Sequence, residues 1–154
     1  MGMTIIDKLT PGGSKFLKEL NRLASLRVKV GFRGGSNTEA DGADVCQVAV
    51  WNEFGTSEIP SRPFMRQSTD NHKSQISDFM SNQKQEILNG ADAENILKEL
   101  GIFQKGIIQE EIVEGTFAPN APSTVKKKGS SRPLIDTGLM RQSVQYLITK
   151  KGGD

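Results

Sequence analysis

Apolar residues recur at helical spacing in several parts of the chain and alternate in two others. Phe16, Leu17, Leu20, Leu23 and Ala24 share one face of a helix that Ser14 can cap, after a break at Pro11-Gly12-Gly13. From Arg27 the period drops to two. Val28, Val30 and Phe32 fall on one side and Arg27 and Lys29 on the other, which predicts a half-buried strand. Val45, Cys46, Val48, Ala49, Val50 and Trp51 are apolar nearly all round. This favours a short buried helix capped by Asp41 or Asp44, with strand left open by the β-branched valines. Ile76, Phe79, Met80, Ile87 and Leu88 form the stripe of a helix beginning at Ser68, Thr69 or Asp70 and ending at Gly90. A second helix runs from about Asp92 to Gly115 with Ile96, Leu97, Leu100, Phe103, Ile107, Ile108 and Ile112 on its stripe, which makes Met80 and Phe103 expected core residues. Gly101 and Gly106 inside that helix are expected where another backbone packs closely. Val144, Tyr146 and Ile148 alternate as a closing strand.

These elements predict a single α+β domain with two long consecutive helices. Residues 1–13 are expected to be a flexible N-terminus, 14–149 the domain, and 150–154 a frayed tail. Mobile loops are expected near 33–42 and 115–132. A length of 154 residues suits one domain, and 35% hydrophobic against 25% charged residues lies on the polar side of globular. No apolar run reaches the roughly 20 residues of a membrane helix, and no signal peptide opens the chain, so cytosolic synthesis without membrane insertion is expected. The single cysteine, Cys46, excludes an internal disulfide and reads as a small core residue. With one histidine, His72, no Cys/His zinc set can be built, and neither metal nor cofactor is expected.

The densest stretch of special residues runs from Trp51 to Arg66, with Pro60, Pro63, Phe54, Phe64, Arg62 and Arg66. Proline fixes φ and removes a backbone donor, and it pushes Ile59 and Arg62 toward extended conformations. A rigid, extended connector follows. Phe54 and Phe64 are expected to anchor its ends in the core, leaving Arg62 and Arg66 to meet carboxylates or a partner.

Two further features carry candidate chemistry. Lys126, Lys127 and Lys128 with Arg132 form the one basic cluster, in a segment marked by Pro119, Pro122 and Gly129. It reads as a solvated tip or as a contact for DNA or an acidic surface; a net charge of +2 does not decide between them. Leu134-Ile135-Asp136-Thr137-Gly138 resembles the signature of aspartic proteases, which pair two such aspartates and so would require a dimer. Only sixteen residues follow Gly138 and the preceding segments are largely helical, so Asp136 or Thr137 capping a turn is the preferred reading.

The order of motifs carries a wider resemblance. Val30-Gly31-Phe32, Asn52-Glu53-Phe54-Gly55, Ile59-Pro60-Ser61-Arg62-Pro63-Phe64-Met65-Arg66, Ala118-Pro119-Asn120-Ala121-Pro122-Ser123-Thr124 and Leu134 to Val144 together resemble small neck and tail-completion proteins of tailed bacteriophages and prophages, over roughly residues 27–149. The resemblance implies a non-enzymatic virion protein, assembled in the bacterial host cytoplasm, in which a small antiparallel sheet packs against helices. It would form a closed ring, with a hexamer expected, at the head-proximal end of the tail, and act in tail completion or head–tail joining between tail-tube and head-connector proteins. A ring needs two different complementary faces on each subunit. The stiff connector is the expected source of one, with Glu53, Arg62, Phe64 and Arg66 as candidate contacts. The basic loop 126–132 would face DNA in the lumen or an acidic neighbour. The alternatives are a small DNA-binding or adaptor module using that loop, and the dimeric protease.

Overall fold

A computed structural model describes residues 10–152. Seven helices and two strands are formed among them, as an α+β fold: α1 (Pro11–Ser25), β1 (Leu26–Gly31), α2 (Val45–Phe54), α3 (Phe64–Asn71), α4 (Lys73–Leu88), α5 (Ala93–Glu114), α6 (Pro122–Lys128), α7 (Leu139–Gln142) and β2 (Gln145–Lys150). The strands are antiparallel, with Val28 opposite Ile148 and Val30 opposite Tyr146. This face packs on α5, and α3 packs on α5 beside it. Arg27 and Lys29 point to solvent, as the alternation requires.

Local signals set most boundaries. Asp92 caps α5 by accepting the Glu94 and Asn95 amides at 3.0 Å each. Asp44 rather than Asp41 caps α2, accepting the Cys46 amide at 2.9 Å. The first helix begins earlier than expected: Thr10, not Ser14, is its cap, with Gly13 donating to Thr10 Oγ1 at 3.1 Å. Pro11 sits in the first turn, where its missing N–H costs nothing and its fixed φ is already helical, so Pro11-Gly12-Gly13 opens the helix. Of the expected flexible N-terminus, residues 1–9 lie outside the described residues and 10–13 are part of α1 or its cap. Of the expected frayed tail, 153–154 lie outside them. Lys150 ends β2, and the Lys151 amide donates to Ser25 O at 2.8 Å.

The helix expected from Ser68–Asp70 instead starts at Phe64 and breaks once at His72, whose φ of −114° and ψ of 19° separate α3 from α4. Ser68 therefore lies inside a helix, where its hydroxyl donates to Met65 O at 2.7 Å. The segment 115–132 contains α6, terminated at Gly129 in the left-handed conformation with φ of 69°. Lys126, Lys127 and Lys128 occupy its last turn, where cations meet the negative end of the helix dipole.

The core lies where α2, α3, α5 and α7 converge. Phe64, Val45 and Ala49 pack there with Ile108, Ile112, Leu134, Met140 and Val144. Phe32 meets Phe64 edge-on, with ring centroids 5.9 Å apart. Phe79 of α4 stacks on Phe103 of α5 at 4.1 Å. Met80, in contrast, is exposed, because α4 follows α5 only along its Gln83 and Ile87 side. Leu134 and Ile135 do not form the strand that a protease signature implies. Leu134 holds φ at 58° with its side chain in the core, and Asp136 is exposed.

The two glycines of α5 part company. A Cβ at Gly101 would stand 2.5 Å from the Tyr146 ring, so the glycine gives the sheet its close approach to the helix. Among the described residues a Cβ at Gly106 would meet nothing within 4 Å, contrary to the expectation of close packing there. The expected results are opposite in sign. Gly101→Ala destabilises by about 1–2 kcal/mol through overpacking, whereas Gly106→Ala stabilises by roughly 0.5–1 kcal/mol through helix propensity. Urea unfolding of the two variants checks the pair, and equal shifts would contradict this packing.

Candidate functional site: the connector and the outer face of α2

The segment expected to be an extended strut is a compact fold-back. α2 continues to Phe54 and stops at Gly55, whose φ of 76° and close neighbours leave no room for a side chain: a Cβ there would lie 2.9 Å from Ser61 N and 3.0 Å from Ile59 O. Thr56 donates its amide to Ile59 O at 2.8 Å, and its hydroxyl accepts the amides of Glu58 and Ile59. Ser61 Oγ then donates to Glu53 O at 2.8 Å, and the Arg62 amide donates to Asn52 O at 2.6 Å. The chain is thus tied back onto the end of α2. Proline stiffness contributes, but these bonds set the path.

Glu53 is buried and serves the next helix. Pro63, at the cap position of α3, has no side-chain donor or acceptor to offer. Glu53 supplies the acceptor from another element. Its Oε2 takes the Met65 amide at 2.8 Å, and its Oε1 takes the Arg66 amide at 3.4 Å and Arg66 Nε at 3.0 Å. A carboxylate at a helix N-terminus meets both the free amides and the positive end of the dipole.

Arg62 is also buried, and its guanidinium joins three segments. Nε donates to Ala118 O at 2.8 Å, Nη1 to Asn52 Oδ1 at 3.0 Å, and Nη2 to Pro119 O at 3.1 Å and Asn120 Oδ1 at 3.2 Å. Burial lowers its pKa from the ordinary value, yet an arginine stays protonated across the working pH range. No carboxylate pairs with it among the described residues; carbonyl and amide oxygens carry the charge.

These placements correct the expected contact set. Glu53, Arg62 and Phe64 are buried inside the chain's own fold, where they shape the connector and are not available to a neighbour. Arg66 alone of the four presents itself outward, with its side chain 61% exposed. Phe54 does not anchor the connector in the core; it is 69% exposed, and the Arg66 guanidinium lies 5.7 Å from its ring centroid. With Val50 at 44% and Trp51 at 38%, it makes an apolar face on the outside of α2, while Val45, Ala49 and Glu53 take the inside. The expectation of a buried helix fails on this side. Cys46 is half-buried, with Sγ 3.8 Å from Phe32 O.

The basic cluster sits at the rim of a cleft beside this site. Lys127 and Lys128 line it together with Glu39, Asp41, Asp136, Asn120 and Arg62. Burial, then repulsion from Asp136 and Asp41, raises the Glu39 carboxyl above its ordinary value, and Lys128 offsets part of this. Part of the lysine charge is therefore directed at the protein's own acids. Lys126, Lys127 and Arg132 remain exposed. Away from the cleft, His72 Nδ1 donates to Ser68 O at 2.8 Å and lies 3.8 Å from Glu111 Oε2.

Among the described residues, no group of three or more His, Cys, Asp and Glu is arranged to hold a metal ion, and no helix is long and apolar enough to cross a membrane. Comparison with family models, curated proteins and solved structures finds no match to this chain. The outer face of α2 is the exposed apolar surface that sequence reasoning missed. Spacing separates Gln47, Val50, Trp51 and Phe54 on one side from Val45, Ala49 and Glu53 on the other, but the acid lies on the side that is buried, so the pattern does not say which side is covered.

Proposed function

We propose that this chain is a non-enzymatic structural protein of a tailed bacteriophage or prophage, which assembles into a ring at the head-proximal end of the tail and acts in tail completion or head–tail joining. Its place would be in the virion neck, after assembly in the bacterial host cytoplasm, between tail-tube and head-connector proteins, with six subunits as the expected closure. The order of motifs between Val30 and Val144 supports this reading.

The observation that carries it furthest is the exposed row of Val50, Trp51 and Phe54 beside Arg66. Aromatic residues and arginine are enriched in the buried centres of protein interfaces, and a contiguous exposed row of them marks a surface that a partner covers. The connector bonds of Glu53, Arg62 and Ser61 hold this row in a fixed orientation. Lys126, Lys127 and Arg132 are the residues available to DNA in the ring lumen.

The protease alternative has less support. Asp136 lies on an exposed turn before the four-residue α7, in a fold with two strands among the described residues, whereas the paired Asp-Thr-Gly chemistry depends on strands that bring two such turns together. Electron micrographs of particles made without this protein test the proposal. Overlong tails are expected for a terminator role, and normal tails lying apart from filled heads for a joining role. Intact particles in normal yield would overturn both.

A further inference from the structure

We propose that the outer face of α2 docks head to tail on the exposed stripe of α5 in a second copy of this chain, with Phe54 and Trp51 covering the bare backbone at Gly106 and Arg66 reaching Glu110 or Glu114. This rests on the ring reading and specifies which two surfaces meet.

The donor face is defined by the row Val50, Trp51 and Phe54, which is left exposed by the described residues. The receiving stripe is read from α5. Ile102, Gly106, Glu110 and Glu114 follow one another at four-residue intervals, so they lie one above another along the helix, and all are exposed. Ile102 is 53% exposed, an apolar residue on the outside of the helix that spans the core. Gly106 weakens the middle of this 22-residue helix without serving any internal contact, unlike Gly101, which admits Tyr146. A glycine flanked by Ile102 and Glu110 leaves a notch in which a flat side chain can approach the helix backbone closely. No described side chain of the same protomer comes within 4 Å of a Cβ built at Gly106, so the space is open to an aromatic ring from a second copy.

Charge selects the same pairing. Glu110 and Glu114 form no ion pair among the described residues. Arg66 engages Glu53 through Nε and Nη2, and its Nη1 has no hydrogen-bond partner among the described residues. An arginine carries five N–H donors, so a second carboxylate can be met without breaking the first bond. The two surfaces belong to different elements. α2 packs against α7 and the core, and α5 packs its other sides on the sheet, α1, α3, α4 and α7. A contact between unlike faces repeats from one copy to the next and closes into a ring when the rotation allows.

Site-directed disulfide formation tests the pairing in the full chain. In a Cys46→Ala background, Phe54→Cys and Gly106→Cys are made separately, one of them carrying an extension that changes its size on a denaturing gel. Both positions face solvent, so both variants are expected to melt within a few degrees of the parent. Mild oxidation of the mixture should give a crosslinked dimer of mixed size, with each variant alone remaining monomeric on the gel. Crosslinking of Phe54→Cys with itself would overturn the pairing in favour of a two-fold contact between α2 faces. Absence of any crosslink while sedimentation shows an assembly would overturn the pairing and leave the ring reading standing. Absence of both, with the chain monomeric at every concentration, would overturn the two together. Gly106→Leu provides a second measurement: its Cβ has open space and its side chain fills the notch, so the concentration needed for assembly should rise at least tenfold while the melting temperature holds or rises. Unchanged assembly would overturn the pairing.

Discussion

Arg62→Met is expected to lower the unfolding free energy by about 3 kcal/mol, an effect near the upper range for a single substitution outside the apolar core. Methionine keeps most of the stem volume, so the loss isolates the guanidinium. Four acceptors, Asn52 Oδ1, Ala118 O, Pro119 O and Asn120 Oδ1, lose their donor at once. Each unpaired buried acceptor costs roughly 1–3 kcal/mol, reduced here because segment 118–120 can move outward and regain water. That escape supplies a second readout. The bonds to Ala118, Pro119 and Asn120 hold the segment leading into α6, so limited proteolysis of the variant should cut between 115 and 132 before the domain unfolds. Thermal unfolding should fall by roughly 6–12 °C. Arg62→Lys is expected to recover only part of the loss, because a single ammonium cannot span the three segments. A melting temperature within a degree of the parent, with the loop still protected, would show that the guanidinium does not hold these segments.

The second large effect is expected at Glu53. Replacing it with glutamine preserves shape and removes charge, at a cost of about 2 kcal/mol. Glutamine keeps one acceptor for the amides of Met65 and Arg66, but it turns an NH₂ group toward donors where the carboxylate offered a second oxygen. Because Pro63 has no capping side chain, nothing else on the connector replaces it. Urea unfolding should show a lower midpoint with an unchanged slope, the mark of a native state weakened without a change in exposed area. An unchanged midpoint would mean that α3 does not depend on this cap. Of the two, Glu53→Gln should also loosen Arg66, whose orientation over Phe54 depends on the same carboxylate.

Much of the fold was legible in local pattern. The alternation of Val28 and Val30 placed β1, the stripe from Ile96 to Ile112 placed α5, and Asp92 marked its start, because caps and periodicity act over a few residues. Pro11 was misread because the same residue that stops a helix from within favours one at its first turn. The candidate site was less legible. Glu53 and Arg62 read as surface charges awaiting a partner, and their partners are on the same chain: Met65 and Arg66 for one, and residues 56–58 positions further on for the other. No local rule pairs an arginine with carbonyls so far along the chain.

The sequence by itself determined the two strands, the stripes of α1, α4 and α5, the α+β class, and the presence of a constrained connector between Trp51 and Arg66. These follow from spacing, caps, proline and glycine, whose effects are set by neighbouring backbone. The tertiary structure alone decided which side of α2 faces inward, that Arg62 and Glu53 are used internally, and that Gly101 is filled by Tyr146 while Gly106 is left open. Burial is a property of what the rest of the chain brings to a surface. A helix apolar on both sides has no pattern of its own to say which side will be covered.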